Sequence, residues 1–178
     1  MERCEFCGEK VKVIKDKPYS YDECGLNVIL YGIPQFVCEK CDESYVSIPK
    51  AQLLHRLIGL DICTNKKALF TAEEIKFLRK DLHQKSKDLA AILGVTKSTI
   101  SKWENGKTKI GEAHDRLLRS LYMMYASEKT QHTICDGVIN IFKELPSGSK
   151  RKEIQKSREI SINPQEWLDF QSDLLCPV

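Results

Sequence analysis

Two Cys-x-x-Cys pairs stand near the start of this sequence. "CEFC" supplies Cys4 and Cys7, and "CEKC" supplies Cys38 and Cys41, with thirty residues between the inner cysteines. One pair at this spacing presents two thiolates from a tight turn, and two pairs complete the tetrahedral set of a structural zinc site that is closed to substrate. We therefore predict one structural Zn²⁺ per chain, bound by these four cysteines.

Two other uses of paired cysteines compete with zinc. Iron in a rubredoxin-like site takes the same four thiolates, and residue types alone do not separate the two metals. Redox-active dithiols of the thioredoxin kind are disfavoured because neither pair opens a helix inside a βαβ pattern. The remaining cysteines stand alone, and we expect a turn or strand residue at Cys24 and small apolar side chains at Cys63, Cys135 and Cys176.

The residues around and between the pairs have the composition of β-strands. Five short runs rich in β-branched and aromatic residues are separated by proline and glycine: "KVKVI", "PYSYD", "LNVILYGI", "QFVC" and "SYVSI". A unit of this length buries little apolar surface, so the metal would supply much of its stability. We predict a small β-rich zinc-binding domain over residues 1–48.

Composition and charge narrow the protein class. No apolar run in the 178 residues reaches the ~20 residues of a membrane-spanning helix, and "MERCEFCGEK" mixes charge with thiols where a secretory signal is apolar. We expect a soluble, cytoplasmic protein with no membrane contact and reduced cysteines. The net charge of +3 is uneven: residues 1–48 carry −3, 49–69 carry +3, 70–129 carry +4 and 130–178 carry −1.

After Pro49 the apolar residues recur with the period of a helix. "AQLLHRLIGL" predicts a short helix and "ICTNKKALF" a connector, so we read residues 49–69 as a short helix and linker. "TAEEIKFLRKDL" predicts the next helix, with Thr71 as N-cap and Glu74 at the capping-box spacing.

Two further short helices follow with a sharp turn between them. "SKDLAAILG", capped by Ser86, leads through Gly94 into "KSTISKWENG". Glycine can take the positive φ that such a turn requires. Two short helices joined in this way form the helix-turn-helix unit, whose second helix enters the major groove of DNA.

The second helix of that unit has a polar and basic outer face. Ile100 and Trp103 fall together on the other side, and no acidic residue occurs from Leu89 through Trp103. We expect contacts to bases or backbone from this helix and to phosphates from the loop after it: Lys97, Ser98, Thr99, Ser101 and Lys102 on the helix, and Lys107 and Lys109 in the loop. The alternative is a solvated lysine-rich face without a partner, which the complete helix-turn-helix pattern disfavours.

The rest of the chain holds a long helix and an extension. "EAHDRLLRSLYMMYASE" carries more apolar surface than a four-helix core needs. It could pair two protomers into a homodimer on a palindromic operator, although packing within one protomer is an equal alternative. In residues 130–178 we expect a helix in "TICDGVINIFKEL", a link at "PSGSKRK", a strand in "REISIN" and a last helix around Trp167, without an assigned function.

Two stretches resemble known families. "LAAILGVTKSTISKWENG" is similar to the core of the Xre (Cro/C1-type) helix-turn-helix family, and "CEFC", "PYSYDECGLNVILYGIPQFVCEKC" and "IP" resemble the YgiT-type zinc finger. Together, over residues 1–129, they resemble the MqsA-type antitoxins, in which a toxin-binding zinc domain precedes a DNA-binding domain that dimerises. The resemblance implies a structural zinc on the four paired cysteines and operator contacts from Lys97 to Lys102.

The chain departs from this family pattern in two places. Many Xre domains place glutamine at the start of the second helix for a phosphate contact. This chain has Ser86 there, so we expect a weaker phosphate contact from Ser86, or one supplied by Lys85 or Lys87. The chain also continues beyond the last helix of better-known MqsA-type antitoxins. The predicted class is α+β: a β-rich zinc domain, an all-α Xre-like domain over residues 70–129 and a short mixed extension.

The favoured function is a sequence-specific transcriptional repressor that acts as an antitoxin, autoregulates its operon and binds a toxin through its zinc domain. A stand-alone regulator without a toxin and a zinc-dependent protein-interaction module are the alternatives. We do not expect an enzyme, because we find no paired acids, no nucleophile with a base and no open metal site. Four histidines stand singly and form no metal-spaced pair: His55, His83, His114 and His132.

Overall fold

The computed structural model describes residues 3–15, 17–48, 50–130, 142–143, 145 and 160–162. These described residues form six strands and five helices, and the predicted mixed α+β class is confirmed. They divide into two compact units. The first holds the described residues of Met1–Asp22, Asn27–Leu53 and Arg158–Val178, and the second holds Glu23–Leu26 and the described residues of Leu54–Ser157.

The first unit consists of two small sheets. Strands β1 (Val11–Ile14), β4 (Gln35–Cys38) and β5 (Ser44–Val46) form one antiparallel sheet with β4 in the middle. Strands β2 (Tyr19–Ser20), β3 (Val28–Leu30) and β6 (Ile160–Ile162) form the other, in which β3 pairs antiparallel with β2 and parallel with β6. The five strands predicted near the cysteine pairs and the strand predicted in "REISIN" are therefore all present.

Few apolar side chains are buried among the described residues of the first unit. Apart from cysteines, those buried in the described part of this unit are Tyr21, Val28, Leu30, Ile33 and Phe36. The ring of Phe36 also stacks on that of Tyr45, with 5.1 Å between the centroids. A core of this size contributes little stability. A metal ion bound by the cysteines would therefore matter more here than in a larger domain.

The second unit is helical. Its helices are α1 (Ala51–Asn65), α2 (Ala72–Asp81), α3 (Ser86–Ile92), α4 (Lys97–Glu104) and α5 (Glu112–Thr130), of which α1 has its first three residues in the first unit. Each helix buries at least one large apolar side chain, among them Leu54, Leu78, Leu89, Ile100 and Leu118. Among the described helices, none combines the length and the apolar character that a membrane crossing requires.

Several predicted features fall outside the described residues. They are the link "PSGSKRK", the last helix around Trp167, and the side chains of His132, Cys135 and Cys176. The helix predicted in "TICDGVINIFKEL" is described at residues 142–143 and 145 alone.

Helix α1 is longer than the sequence indicated. We expected a connector in "ICTNKKALF", but α1 continues through its first four residues to Asn65. Ile62 and Cys63 are buried there, and the Thr64 hydroxyl donates to the Leu60 carbonyl at 2.8 Å. The prediction was wrong because tertiary burial extends the helix beyond what its local composition favours.

A fully buried arginine on α5 holds the end of α1 and the connection to α2. The Arg119 guanidinium donates to four backbone carbonyls at 2.8 to 3.1 Å, those of Ile62, Cys63, Lys66 and Ala68. Its Nε donates to Asp115 Oδ2 at 2.7 Å, and Asp115 Oδ1 accepts the N–H of Phe70 at 2.8 Å. The buried ion pair is extensively hydrogen-bonded, which is the condition under which the interior tolerates charge.

Replacing Arg119 by Met should destabilise the second unit by about 3–5 kcal/mol, because the Asp115 carboxylate would stay buried without its partner. As a control, Arg116→Met removes a partly exposed arginine that lies 3.6 Å from Glu112, and it should cost less than about 1 kcal/mol. Urea denaturation followed by far-ultraviolet circular dichroism measures both losses. Equal losses in the two variants would contradict the role assigned to Arg119.

Candidate metal centre and nucleic-acid interface

The two Cys-x-x-Cys segments fold into the same kind of turn. The N–H of Gly8 donates to the Cys4 carbonyl at 2.9 Å, and the N–H of Asp42 donates to the Cys38 carbonyl at 3.0 Å. In each turn the first cysteine's own N–H donates to the carbonyl five residues on, at 2.7 and 2.9 Å. The residue after the second cysteine has a positive φ, 74° at Gly8 and 56° at Asp42, which glycine adopts freely and aspartate tolerates better than most residues.

The four sulfur atoms of the two turns lie together. The Sγ atoms of Cys4, Cys7, Cys38 and Cys41 are all within 4.8 Å of one another. Between the turns, Cys7 and Cys38 are separated by 3.4 Å and Cys4 and Cys41 by 3.7 Å. Four metal–sulfur bonds of ~2.3 Å in a tetrahedron leave about 3.8 Å between sulfurs, so this donor set fits a tetrahedral metal ion.

The surroundings of the sulfurs prepare some of them for metal binding. The backbone N–H groups of Cys41 and Lys40 lower the pKa of the Cys38 thiol to about 7, so a thiolate forms there near neutral pH. The N–H of Glu43 lowers the pKa of the Cys41 thiol. Burial and the other three thiols raise this pKa by more, and the net result is a pKa of about 12. Sulfurs this close resist carrying several negative charges, and a bound cation removes that repulsion.

Replacing Cys38 by Ser should release the metal, because the hydroxyl is a poor substitute for a thiolate in a four-sulfur set. We expect one metal ion per wild-type chain and close to none in Cys38→Ser. The control is Cys24→Ser, since Cys24 lies outside the cluster of four sulfurs and the substitution removes one thiol while leaving all four proposed ligands in place. Inductively coupled plasma mass spectrometry counts the metal and tells zinc from iron. Full metal content in Cys38→Ser would rule out its role as a ligand.

Helices α3 and α4 form the predicted helix-turn-helix pair. Gly94 follows α3 with a φ of 67°. The N–H of Gly94 donates to the Ala91 carbonyl at 3.3 Å and that of Val95 to the Ala90 carbonyl at 2.9 Å, the pattern of a Schellman motif. Helix α4 then begins after Thr96, whose hydroxyl caps it.

The start of α3 differs from the prediction. Ser86 was expected to be the N-cap, but α3 begins at Ser86 itself, and Lys85 occupies the cap position without a side-chain hydrogen bond. That prediction was wrong by one residue, because the chain enters the helix before the side chain best suited to cap it. Leu89, Ala90 and Leu93 are buried.

The outer face of α4 carries the side chains predicted to contact DNA. Ile100 and Trp103 are buried on its inner side. Thr99 and Ser86 are partly exposed. The other residues predicted to contact DNA, on α4 and in the loop after it, are exposed: Lys97, Ser98, Ser101, Lys102, Lys107 and Lys109. The structure therefore leaves all these side chains accessible to a partner.

A bidentate ion pair connects α4 to α2. Arg79 Nε donates to Glu104 Oε1 at 2.5 Å, and its Nη2 donates to Oε2 at 3.2 Å. The remaining nitrogen, Nη1, donates to the Gln84 carbonyl at 3.0 Å, where the chain passes from α2 to α3. One guanidinium thus ties α4 and the segment that precedes α3 to α2. Sequence reasoning missed this pair, since residues 25 positions apart carry no local signal of contact.

Comparison with known proteins identifies the family of this chain. A family model described as the antitoxin component of a bacterial toxin-antitoxin system, MqsA, matches residues 1–124. The chain belongs to this family. Antitoxin MqsA of Escherichia coli (strain K12) is 27% identical over 121 residues, which are 67% of this chain and 91% of that protein. The predicted MqsA resemblance is confirmed, and the matched region includes both the cysteine cluster and the helix-turn-helix pair but leaves β6 outside.

Proposed function

We propose that this MqsA-family protein is a DNA-binding repressor that acts as an antitoxin, reads an operator of its own operon through α4, and binds a toxin through its zinc unit. The proposal of DNA binding rests on the exposed polar and basic face of α4. Ile100 and Trp103 are buried on the opposite face of this helix. The family match supports the antitoxin part. A stand-alone regulator would use the same DNA-binding face, and a toxin encoded beside this gene distinguishes the two.

The charge around the helix-turn-helix pair suits a phosphate backbone. No acidic residue occurs in residues 89–103. Exposed lysines lie on or beside both helices: Lys85, Lys87, Lys97, Lys102, Lys107 and Lys109. Each lysine that neutralises a phosphate releases a counterion, so binding should weaken as salt rises. This part of the interaction gives affinity and register but no sequence preference.

Sequence preference is assigned to the side chains of α4. Lys97 and Lys102 can donate to guanine O6 and N7 in the major groove. The short side chains of Ser98 and Ser101 let the helix backbone approach base edges. Ser86, Lys107 and Lys109 are assigned to phosphates, because they lie at the start of α3 and in the loop after α4.

Replacing Lys102 by Ala should weaken operator binding by roughly 1–3 kcal/mol, with a smaller loss on scrambled DNA, if the ammonium group reads a base. The control Lys76→Ala removes an exposed lysine from α2, outside the helix-turn-helix pair, and should change both affinities little. Gel-shift titrations at physiological salt, on the protein's own upstream promoter and on a scrambled duplex, measure the four affinities. Equal losses on both DNAs would make Lys102 a phosphate contact, and no loss on either would remove it from the interface.

We also assign to α5 the pairing of two protomers. Leu117 and Met124 are 44% and 65% exposed, and the half-buried Leu121 lies between them. Spacings of four and three residues place these side chains on one face, while Leu118 and Tyr122 are buried on the other. A two-fold dimer through this face would set two α4 helices ~34 Å apart and favour a palindromic operator.

The double variant Leu117→Lys/Met124→Lys should turn the dimer into a monomer, because like charges would meet across the two-fold axis. Val13→Lys is the control, since Val13 is an exposed apolar residue of the first unit. Sedimentation equilibrium gives the mass of each variant. A dimeric double variant would show that another surface pairs the protomers.

A further inference from the structure

Strand β6 lies outside the family region but completes a sheet inside it. The family match ends at residue 124, whereas β6 covers Ile160–Ile162 and pairs in parallel with β3. The register places Ile160 opposite Val28, Ser161 opposite Ile29 and Ile162 opposite Leu30. A segment beyond the matched region therefore occupies an edge of the MqsA-type zinc unit.

Without β6, that edge of β3 would be open. On its other side β3 pairs with β2, which contributes two residues, Tyr19 and Ser20. A two-stranded ribbon is marginally stable at best in water, and three strands are the usual minimum for a stable small sheet. Since Val28 and Leu30 are fully buried, β3 lies in the core of the unit while its outer backbone groups need a partner strand.

We propose that the outer edge of β3 is an interaction surface for an extended peptide strand, and that this chain fills the surface with its own residues 160–162. The matching ligand is an extended segment that runs parallel to β3 with the pattern apolar, polar, apolar, as in Ile160, Ser161 and Ile162. Such strand addition takes its affinity from main-chain hydrogen bonds.

The occupant is exchangeable in principle because it is small. Among the described residues, three residue pairs join β6 to β3, and parallel pairing is slightly less stable per residue than antiparallel pairing. A partner that adds a strand at this edge must displace β6, so the extension competes with that partner. For a toxin as the partner, this last step rests on the function proposed above; the strand-binding edge itself does not.

The first test disrupts β6 in the full-length, metal-loaded protein. In Ser161→Pro/Ile162→Pro, two adjacent prolines remove whichever of the two N–H groups points at β3, since successive residues of a strand direct their N–H groups to opposite sides. The control Ser149→Pro/Lys150→Pro makes the same change in "PSGSKRK", predicted from the sequence to be a link. Hydrogen–deuterium exchange read by mass spectrometry follows the amides of residues 28–30.

We expect exchange at residues 28–30 to be at least tenfold faster in the β6 variant than in the wild type and the control, with metal content unchanged in all three. Unchanged exchange in the β6 variant would overturn the proposal, because β3 would then not depend on β6.

The second test asks whether the vacated edge binds a strand in trans. The probe is a fluorescein-labelled peptide of residues 158–164, "REISINP", measured by fluorescence anisotropy. We expect it to bind the β6 variant at least tenfold more tightly than the wild type and to slow exchange at residues 28–30 again. The same peptide with prolines at 161 and 162 should not bind.

Faster exchange without peptide binding would overturn the proposal, since β6 would then be a fixed part of the fold and not the occupant of a binding surface. Equal peptide binding to wild type and variant would also overturn it. Neither test contains toxin or DNA, so both results are independent of the repressor and antitoxin functions. Operator binding by the β6 variant separately reports on the second unit.

Discussion

The buried guanidinium of Arg119 determines how the helical unit is held together. It fixes the end of α1 and the segment that leads to α2. At the end of that segment, the Thr71 and Glu74 capping box starts α2, and the Lys66 ammonium group binds Glu74 Oε2 at 2.5 Å. Arg79 on α2 then holds α4 through Glu104. The orientation of the proposed recognition helix thus depends on a series of largely buried charge pairs, which specify geometry because an unpaired buried charge is costly.

The first unit is stabilised in a different way. Its buried apolar residues are few, and its two sheets consist of strands of two to four residues in the described part of the chain. Cys38 ends β4 opposite Val11 of β1, so a metal bound by all four sulfurs would join the N-terminal turn to the end of the central strand. Such a cross-link replaces the hydrophobic core that so short a sequence cannot build.

Local patterns in the sequence were enough to predict much of this structure. The Cys-x-x-Cys spacing, the capping box at Thr71 and Glu74, and the glycine between α3 and α4 each act within a few residues, and each is found as expected. The contacts that hold these parts in place are not local. Arg119 reaches carbonyls 51 to 57 positions away, and α1 continues past the predicted end because of burial. Alternation in "REISIN" indicated a strand but could not show that it pairs with β3, since pairing between distant strands depends on the whole fold.

The two units also differ in whether their stabilising contacts can be removed without a change of sequence. In the described part of the chain, the pair that joins α4 to α2 and the two that fix the segment before α2 all lie within the second unit: Arg79–Glu104, Lys66–Glu74 and Arg119–Asp115. The four cysteines of the first unit could hold a metal ion, which protons or chelators would remove, and we have proposed that its second sheet depends on β6. We infer that loss of a bound metal or of β6 would disturb the first unit and leave the helices of the second unit folded. For the proposed repressor, this arrangement would allow loss of the protein partner without loss of the operator, because the two proposed activities rest on separate sources of stability.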